Sequence, residues 1–364
     1  MRHRSAQSQW ALLIEASHPG WRCEYRPETG TYHALLDLPV RSPATVTDTD
    51  PRRVHAQISQ LTHLSHRLRT LLNHTDPQRT RSRYMRLTSQ NLLHGATQTP
   101  EGVPQDRWPA VAEAIRAENP DILCLQELHG WTSHNYQQLF RAERDLGMRV
   151  AGWVPPARSR GGTLLMYRHR PGGIRMRQWE SANSTELYNG LGVAVFDFGG
   201  DAPLTVAGVH LQVASIEAAT QEALLAVSRA YRYGGLGVVM GDFNHQTLDD
   251  PAPDHTTRSP LSVAARWRFG PDGSIVPDRS LARKLVLARM TDAAAHLAQV
   301  TGDASLTAPT AGGGIRTDQA WVTPPLVPAL AAYRRIPHDA SDHHLISVDL
   351  DPNQITVRAD GRAG

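Results

Sequence analysis

One segment of the chain joins an apolar run, Leu236–Met240, directly to the polar sequence Gly241-Asp242-Phe243-Asn244. A short apolar run that ends in turn-forming residues predicts a buried strand. Because side chains alternate along a strand, Asp242 and Asn244 are expected to project together from its carboxyl end. That end of a strand is the usual place for a site in a layered α/β protein. The same residues also fit an Asx turn that only closes the strand.

Polar residues stand at the ends of several other predicted strands. Asn91, Glu127 and His210 follow strands, and Asp318 and the pair Asp342-His343 precede them. Each residue alone can be explained as a turn former, a cap or a solvated side chain. Between residues 84 and 350, about ten short strands alternate with helices, which predicts two sheets packed face to face with helices outside. Because all the polar residues occupy strand ends, an accidental set is a poor explanation.

These residue types suit the hydrolysis of a phosphate ester. That reaction needs a divalent cation on the phosphate, an activated water in line with the leaving group, and donors for the charge on the phosphate oxygens. The oxygen ligands of Glu127 and Asn91 suit Mg²⁺ or Mn²⁺. Asp242 is placed to orient the water or take its proton, and Asn244 to donate to a phosphate oxygen. A histidine paired with a carboxylate stays charged and serves as a donor or an acid.

Six sequence blocks resemble the endonuclease/exonuclease/phosphatase superfamily, whose members include DNase I-like nucleases and abasic-site endonucleases. In the order of the family, the blocks are Ser89–Gly95, Pro120–Glu127, Val209–Leu211, Gly241–Asn244, Arg316–Asp318 and Ser341–His343. The resemblance covers residues 84 to 350. It implies an α/β protein with a four-layer α/β/β/α sandwich of the DNase I-like type.

The resemblance also implies a role for each polar residue. It assigns metal binding to Asn91, Glu127 and Asp342, and catalysis to His210, Asp242, Asn244, Asp318 and His343. His210 and His343 would flank the phosphate, with Asp318 supporting His343. DNase I-like members give the His210 position a glutamate partner near the strand that here reads Gly161–Arg168, and no acid stands there. The partner of His210 is therefore left open.

The first 78 residues are predicted to form a small α+β module of the order α-β-β-α. Residues 7–17 and 51–71 have the periodicity of amphipathic helices, and 21–25 and 32–36 alternate as in a hairpin. Two interpretations of this module remain open: a docking or nucleic-acid-touching element, or a small packed domain with a solvated basic helix face.

The rest of the chain follows this module in three predicted segments. Residues 79–83 are polar and are expected to be a linker. Residues 84–351 then form the catalytic domain, and 352–364 a flexible tail.

The composition excludes some classes of protein but does not identify a substrate. No apolar run approaches the roughly 18 residues of a membrane span, and no secretory signal is evident at the start. The two cysteines lie far apart in unlike contexts, so we expect neither a disulfide framework nor a zinc site, and a cytoplasmic location. A net charge of +3 is too mild to indicate nucleic-acid binding. No obligate protein partner is evident.

The leading functional hypothesis is a metal-dependent nuclease that cleaves DNA or RNA. The runner-up is a phosphatase or phosphodiesterase acting on a small phosphorylated metabolite or lipid headgroup, and a catalytically silent binding protein is disfavoured because every expected position is filled. The segment 245–310 is predicted to be a long loop that selects the substrate. Within it, Arg266-Trp267-Arg268-Phe269 is either a base-stacking element or a packing segment.

Overall fold

The structure is a computed structural model of the chain. It describes residues 21–36, 45–51, 84–156, 161–170, 173–180 and 187–355, with single positions in the two N-terminal helical segments. The predicted linker 79–83 and the predicted tail beyond residue 355 lie outside the described residues. The chain divides into two compact units, residues 1–81 and 82–364.

The N-terminal unit contains one antiparallel sheet of three strands. Strands β1 (Trp21–Arg26), β2 (Thr31–Leu36) and β3 (Thr45–Asp48) are ordered β1-β2-β3. The predicted hairpin is β1-β2, and the third strand was not predicted, because its four residues are too few for a clear alternation. The described buried side chains of the N-terminal unit form one small core: Ala11, Ile14, Cys23, Tyr32, Ala34, Val46, Val54 and Ile58.

The second unit is built of short strands and helices in alternation. The strands are β4 (Met85–Asn91), β5 (Ile122–Gln126), β6 (Arg149–Val154), β7 (Thr163–Tyr167), β8 (Arg175–Glu180), β9 (Leu191–Asp197), β10 (Leu204–His210), β11 (Leu236–Asp242), β12 (Trp267–Phe269), β13 (Ile275–Pro277), β14 (Thr291–Asp292), β15 (Asp318–Val322), β16 (Leu330–Ile336) and β17 (Leu345–Leu350). The helices are α1 (Trp108–Glu118), α2 (Gln137–Leu146), α3 (Ile216–Arg232), α4 (Pro260–Arg266), α5 (Ser280–Leu287) and α6 (Ala293–Thr301). Single 3-10 turns cover His94–Ala96, His255–Thr257, Ala304–Thr307, Pro324–Ala329 and Pro352–Gln354.

Twelve of these strands form two six-stranded sheets with the same plan, and β12 and β13 form a separate hairpin. One has the order β16-β17-β4-β5-β7-β6 and the other β14-β15-β11-β10-β9-β8. Each contains one parallel pair, β4-β5 or β10-β11. On one side of that pair lies an antiparallel strand, β17 beside β4 and β15 beside β11. In each sheet, two carboxyl strand ends and one amino strand end therefore meet at the same edge.

The second unit has four layers of secondary structure, and a layer of buried side chains lies between each layer and the next. The central core lies between the sheets, and it includes Leu87, Cys124, Val206 and Met240. Helices α3 and α5 cover the outer face of one sheet, and α1 and α2 cover the other. The predicted α/β/β/α sandwich is confirmed.

The prediction of a long loop over residues 245–310 is wrong. That segment contains α4, α5, α6 and the small hairpin β12-β13. The signals for two of these helices were present: the Ser259 hydroxyl accepts from the Ser262 N–H at 3.3 Å, and the Asp292 carboxylate accepts from the Ala294 N–H at 3.0 Å. Serine and aspartate in this position are the usual residues that begin a helix.

None of the helices in the described part of the chain has both the length and the hydropathy that crossing a membrane requires.

Candidate active site

Asp242 lies at the centre of the polar residues and is only 1% exposed. Its Oδ2 atom accepts from the Asn91 side chain at 3.0 Å. The same oxygen lies 3.6 Å from His210 Nε2 and 3.8 Å from His343 Nε2. Four strand ends that are far apart in the chain thus meet around one carboxylate. Burial opposes the ionised form, but the two histidines and the donated hydrogen bonds outweigh it and lower the pKa of Asp242.

Position along the sheet places Asp242 at this centre. The strand that carries it, β11, pairs in parallel with β10, so that Asp242 stands beside His210. On the other side β15 runs antiparallel, and Asp318 is the register partner of Asp242. The backbones approach closely here: a Cβ atom on Gly241, whose φ is +145°, would lie 1.9 Å from Val209 O. Only glycine fits at that position.

His343 is partly buried and pairs with Asp318, which is fully buried. The Nδ1 atom of His343 lies 2.8 Å from Asp318 Oδ2. Burial favours the neutral imidazole, but Asp318 and Asp242 outweigh it and raise the pKa of His343 to about 11. Nδ1 therefore carries a proton and donates to Asp318, and Nε2 faces Asp242 as a second donor.

His210 has a different environment from His343. Its Nε2 atom faces Asp242, whereas its Nδ1 atom is buried and has no hydrogen-bond partner among the described residues. The segment Gly161–Tyr167, where related proteins are expected to carry a glutamate, supplies no acid. Among the described residues, Asp242 has the carboxylate that lies within 4 Å of His210, and His210 also interacts electrostatically with Glu127.

Asn244 does not continue strand β11, so the strand alternation that was expected to align it with Asp242 does not extend to it. Strand β11 ends at Asp242, and Asn244 has a left-handed backbone with φ of 59°. The Asn244 N–H donates to Asp242 Oδ1 at 2.9 Å, which is an Asx turn. The Asn244 side chain then donates to Leu211 O at 3.0 Å. The Asx-turn interpretation is therefore correct for the backbone, and the same turn orients the Asp242 carboxylate.

Asn91 and Glu127, the predicted metal ligands, lie next to Asp242. The Asn91 amide nitrogen donates to Glu127 Oε1 at 3.2 Å as well as to Asp242, while its oxygen accepts from the Leu93 N–H at 3.1 Å. Two carboxylates thus converge on one amide group. Like charges held this close are stabilised by a cation, and oxygen donors suit Mg²⁺ or Mn²⁺. The two carboxylates fit such a metal ion, whereas the Asn91 oxygen faces the Leu93 N–H, so a metal-binding role for Asn91 stays a prediction.

Asp342, the third predicted metal ligand, is exposed. Among the described residues, two groups bring three ligand atoms within 4.8 Å of one another, and Asp342 is in neither. One is Asp242, Asp318 and His343, and the other is His94, Glu127 and His129. A metal-binding role for Asp342 stays a prediction.

Two arginines that sequence reasoning did not assign to the site hold its loops in place. Arg107 donates to Ala340 O at 2.6 Å and also to Leu93 O, so it joins the loop after β4 to the loop before β17. Arg266 donates to Asn244 O at 2.7 Å. Each guanidinium satisfies buried carbonyl groups that no strand pairs. No local pattern distinguishes Arg107 from the many other arginines of the chain, whereas Arg266 belongs to the segment Arg266-Trp267-Arg268-Phe269 that the sequence singles out.

The segment Arg266-Trp267-Arg268-Phe269 was interpreted either as a packing segment or as a base-stacking element, and each interpretation fits one half of it. Arg266 supports Asn244, and Trp267 is buried. Arg268 and Phe269 are exposed on the hairpin β12-β13.

Solved structures that are similar to this chain are distantly related to it in sequence. A 3'-5' exonuclease from Neisseria meningitidis is 18% identical over 73% of this chain and 100% of its own, with a TM-score of 0.50. An AP endonuclease from Archaeoglobus fulgidus is 18% identical over 73% of this chain and 99% of its own, with a TM-score of 0.49. An endonuclease/exonuclease/phosphatase from Beutenbergia cavernae is 20% identical over 74% of this chain and 72% of its own, with a TM-score of 0.49.

A comparison with curated proteins finds no matching sequence. The model of the Endonuclease/Exonuclease/phosphatase family matches residues 89–343 of the chain. That range contains the six predicted sequence blocks, from Ser89 to His343, and the residues that meet around Asp242. The chain therefore belongs to the endonuclease/exonuclease/phosphatase family, whose hydrolases act on phosphate esters.

Proposed function

We propose that this chain is a divalent-metal-dependent nuclease that hydrolyses phosphodiester bonds in DNA or RNA. One observation carries the proposal: a single buried carboxylate oxygen of Asp242 lies 3.6 Å from His210 Nε2 and 3.8 Å from His343 Nε2. Two imidazoles and a carboxylate that converge in this way supply both an acceptor for the proton of a water and donors for a phosphate.

Asp242 is the group that acts on the attacking water. Its pKa is lowered, because the facing histidines and hydrogen bonds outweigh the effect of burial, so the carboxylate is ionised at neutral pH and acts as an acceptor. The Asn244 N–H holds the other carboxylate oxygen at 2.9 Å. A fixed acceptor lowers the cost of orienting the water in line with the leaving group.

His343 binds the phosphate as a cation. Asp318 and Asp242 together outweigh burial and raise its pKa to about 11, so the imidazole is charged throughout the neutral pH range. A preorganised charged donor stabilises the negative charge that develops on the phosphate oxygens in the transition state. His210 is the second imidazole beside the same oxygen and is placed to give a proton to the leaving group.

Glu127 and Asn91 would hold the divalent cation, Mg²⁺ or Mn²⁺. When bound, such an ion polarises the phosphate and neutralises part of its charge. Glu127 has the backbone support that a ligand requires, because the His94 N–H donates to its Oε2 at 2.9 Å. Asn91 joins Glu127 to Asp242 through one amide group, which keeps the metal-binding and water-activating carboxylates in a fixed relation.

A nucleic acid is favoured over a small phosphate ester by the surface beside the site. Arg266 contacts the Asn244 backbone, and the next residues form β12, where Arg268 is exposed and Phe269 is 75% exposed. On this hairpin the exposed aromatic ring offers a stacking surface for bases, and the exposed arginine offers a contact for phosphates. A small phosphorylated metabolite needs neither.

The test measures cleavage of plasmid DNA, single-stranded DNA, RNA and a panel of phosphate monoesters, each with Mg²⁺, with Mn²⁺ and with a chelator. We expect metal-dependent cleavage of nucleic acid, its loss in the chelator and in Glu127→Gln, and its retention in Glu101→Gln, which alters an exposed glutamate. Turnover of monoesters alone, with nucleic acid left intact, would overturn the nuclease proposal and favour a phosphatase. An absence of any metal-dependent turnover would overturn both enzymatic functions.

A further inference from the structure

Two histidines that the proposed hydrolysis does not use, His94 and His129, lie beside Glu127. One ligand atom from each of the three residues lies within 4.8 Å of the other two. The imidazole rings have centroids 4.9 Å apart and planes inclined by 44°. None of the three side chains is fully buried, so an ion from solvent can reach them.

The two loops that carry these residues are tied together. Residue His94 follows strand β4 and residue His129 follows β5, and these strands are parallel neighbours. The buried Trp131 indole donates to Gly95 O at 2.8 Å, and the His94 N–H donates to Glu127 Oε2 at 2.9 Å. A Cβ atom on Gly95 would lie 2.3 Å from His129 O, which shows how closely the loops approach. The histidines are therefore held near Glu127 by the backbone.

The backbone is also held in unusual conformations here. His94 and Glu127 have positive φ angles of 52° and 61°, a region that residues other than glycine seldom occupy. The His129 ring packs against Gly161, where a Cβ atom would lie 3.0 Å from His129 Cε1. Strained backbone of this kind is concentrated at binding and catalytic sites.

The donor set differs from the oxygen set proposed for the phosphoesterase metal. Glu127 Oε1 accepts from the Asn91 amide at 3.2 Å, and Oε2 accepts from the His94 backbone N–H. One oxygen of the carboxylate lies within 4.8 Å of a ring nitrogen of His94 and of His129. Two imidazoles and one carboxylate favour first-row transition ions, whereas Mg²⁺ prefers oxygen ligands and retains its waters.

We propose that His94, Glu127 and His129 form a second cation site, which binds a divalent transition-metal ion such as Zn²⁺. The site adjoins the hydrolytic centre through Glu127 but does not depend on the proposed nuclease activity. Neither the resemblance of the sequence nor the chemistry of phosphodiester hydrolysis requires these two histidines.

The probe is Co²⁺, because imidazole ligation changes its visible absorption. Full-length protein without a polyhistidine tag is titrated with Co²⁺ in excess Mg²⁺, and Zn²⁺ is then added as a competitor. We expect one Co²⁺ per chain, which Zn²⁺ displaces. In His94→Asn and His129→Asn the affinity for Co²⁺ should fall by about tenfold or more. Asparagine is chosen at residue 94 because it tolerates a left-handed backbone.

His134→Asn is the matched control, because His134 is exposed and has φ of 51°. It should bind Co²⁺ as the original chain does. Absence of Co²⁺ and Zn²⁺ binding, or binding that neither His94→Asn nor His129→Asn weakens, would overturn the proposal. Circular dichroism shows whether each variant folds. If either His94→Asn or His129→Asn does not fold, the Co²⁺ affinity of the other variant tests the proposal. Binding is measured without substrate, so failure of the nuclease proposal leaves this result unaffected.

Discussion

Nδ1 of His343 lies 2.8 Å from Oδ2 of Asp318, and Asp318 is fully buried. This contact fixes the orientation of the imidazole ring, so that Nε2 is directed at the Asp242 carboxylate. A histidine that is oriented by one carboxylate and faces another is a positioned cation, because the first interaction fixes the ring and both stabilise its charge.

Replacement of Asp318 by asparagine should lower kcat roughly 100-fold, the scale of losing a catalytic acid or base. The Asp318→Asn side chain keeps its size but removes the charge that holds the proton on His343. We expect KM to rise as well, because a His343 that loses its charge binds the phosphate of the substrate less tightly. Steady-state kinetics measures both constants, with the exposed Asp339→Asn as control. An unchanged kcat in Asp318→Asn would contradict this role.

Alanine at position 241 should destabilise the second unit by about 3 kcal/mol or more, the scale of severe overpacking. The added Cβ would lie 1.9 Å from Val209 O, so β10 and β11 would have to separate beside Asp242. Urea unfolding followed by circular dichroism measures the loss. Gly313→Ala is the control, because no atom lies within 4 Å of a Cβ there. Equal stability of the two variants would show that the strands adapt.

Arg316 should be essential to stability. It is 1% exposed, and its guanidinium lies 2.7 Å from Asp250 and 2.7 Å from Asp292. Arg316→Met removes the charge but fills most of the volume. The buried carboxylate of Asp292 and the partly buried one of Asp250 then lose their partner, which costs about 3–5 kcal/mol. Chemical denaturation measures the change against Arg283→Met, which alters an exposed arginine. A shift no larger than that of the control would contradict the ion-pair argument.

His245 should make the protein less stable in mild acid. It is fully buried, and burial first of all lowers its pKa from 6.5 to about 4. Its Nε2–H donates to Gln212 O at 2.8 Å. Its Nδ1 atom has no hydrogen-bond partner among the described residues. Between pH 6.5 and pH 4 the unfolded chain binds a proton that the folded chain does not, so stability falls as the pH falls, by about 3 kcal/mol in total.

The measurement for His245 is the free energy of unfolding at several pH values in the original chain and in His245→Gln. The difference between the two isolates this histidine, because the other titrating groups are common to both. We expect the original chain to lose more stability than the variant between pH 6.5 and pH 4. Parallel pH profiles would show that His245 is not the group responsible.

Local patterns predicted most of the strands and the layered fold. The apolar runs of β5 and β11 became strands that are buried along their whole length, because a strand covered on both faces needs apolar residues throughout. Patterns failed where they were short or interrupted. Strand β3 has only four residues, and helices α4 to α6 lie among turns that hide their short periodicity.

The sequence by itself determined which polar residues stand at strand ends, and therefore the chemistry that this protein can perform. Only the tertiary structure decided which of them meet. Asp318 stands opposite Asp242 because β15 pairs antiparallel with β11 in one register, and Asn91 reaches Asp242 only because the two sheets pack face to face. Periodicity is a local property, whereas these contacts join residues far apart in the chain and depend on register and packing. For the same reason, the approach of His94 to Glu127 and His129 could not be predicted from the sequence.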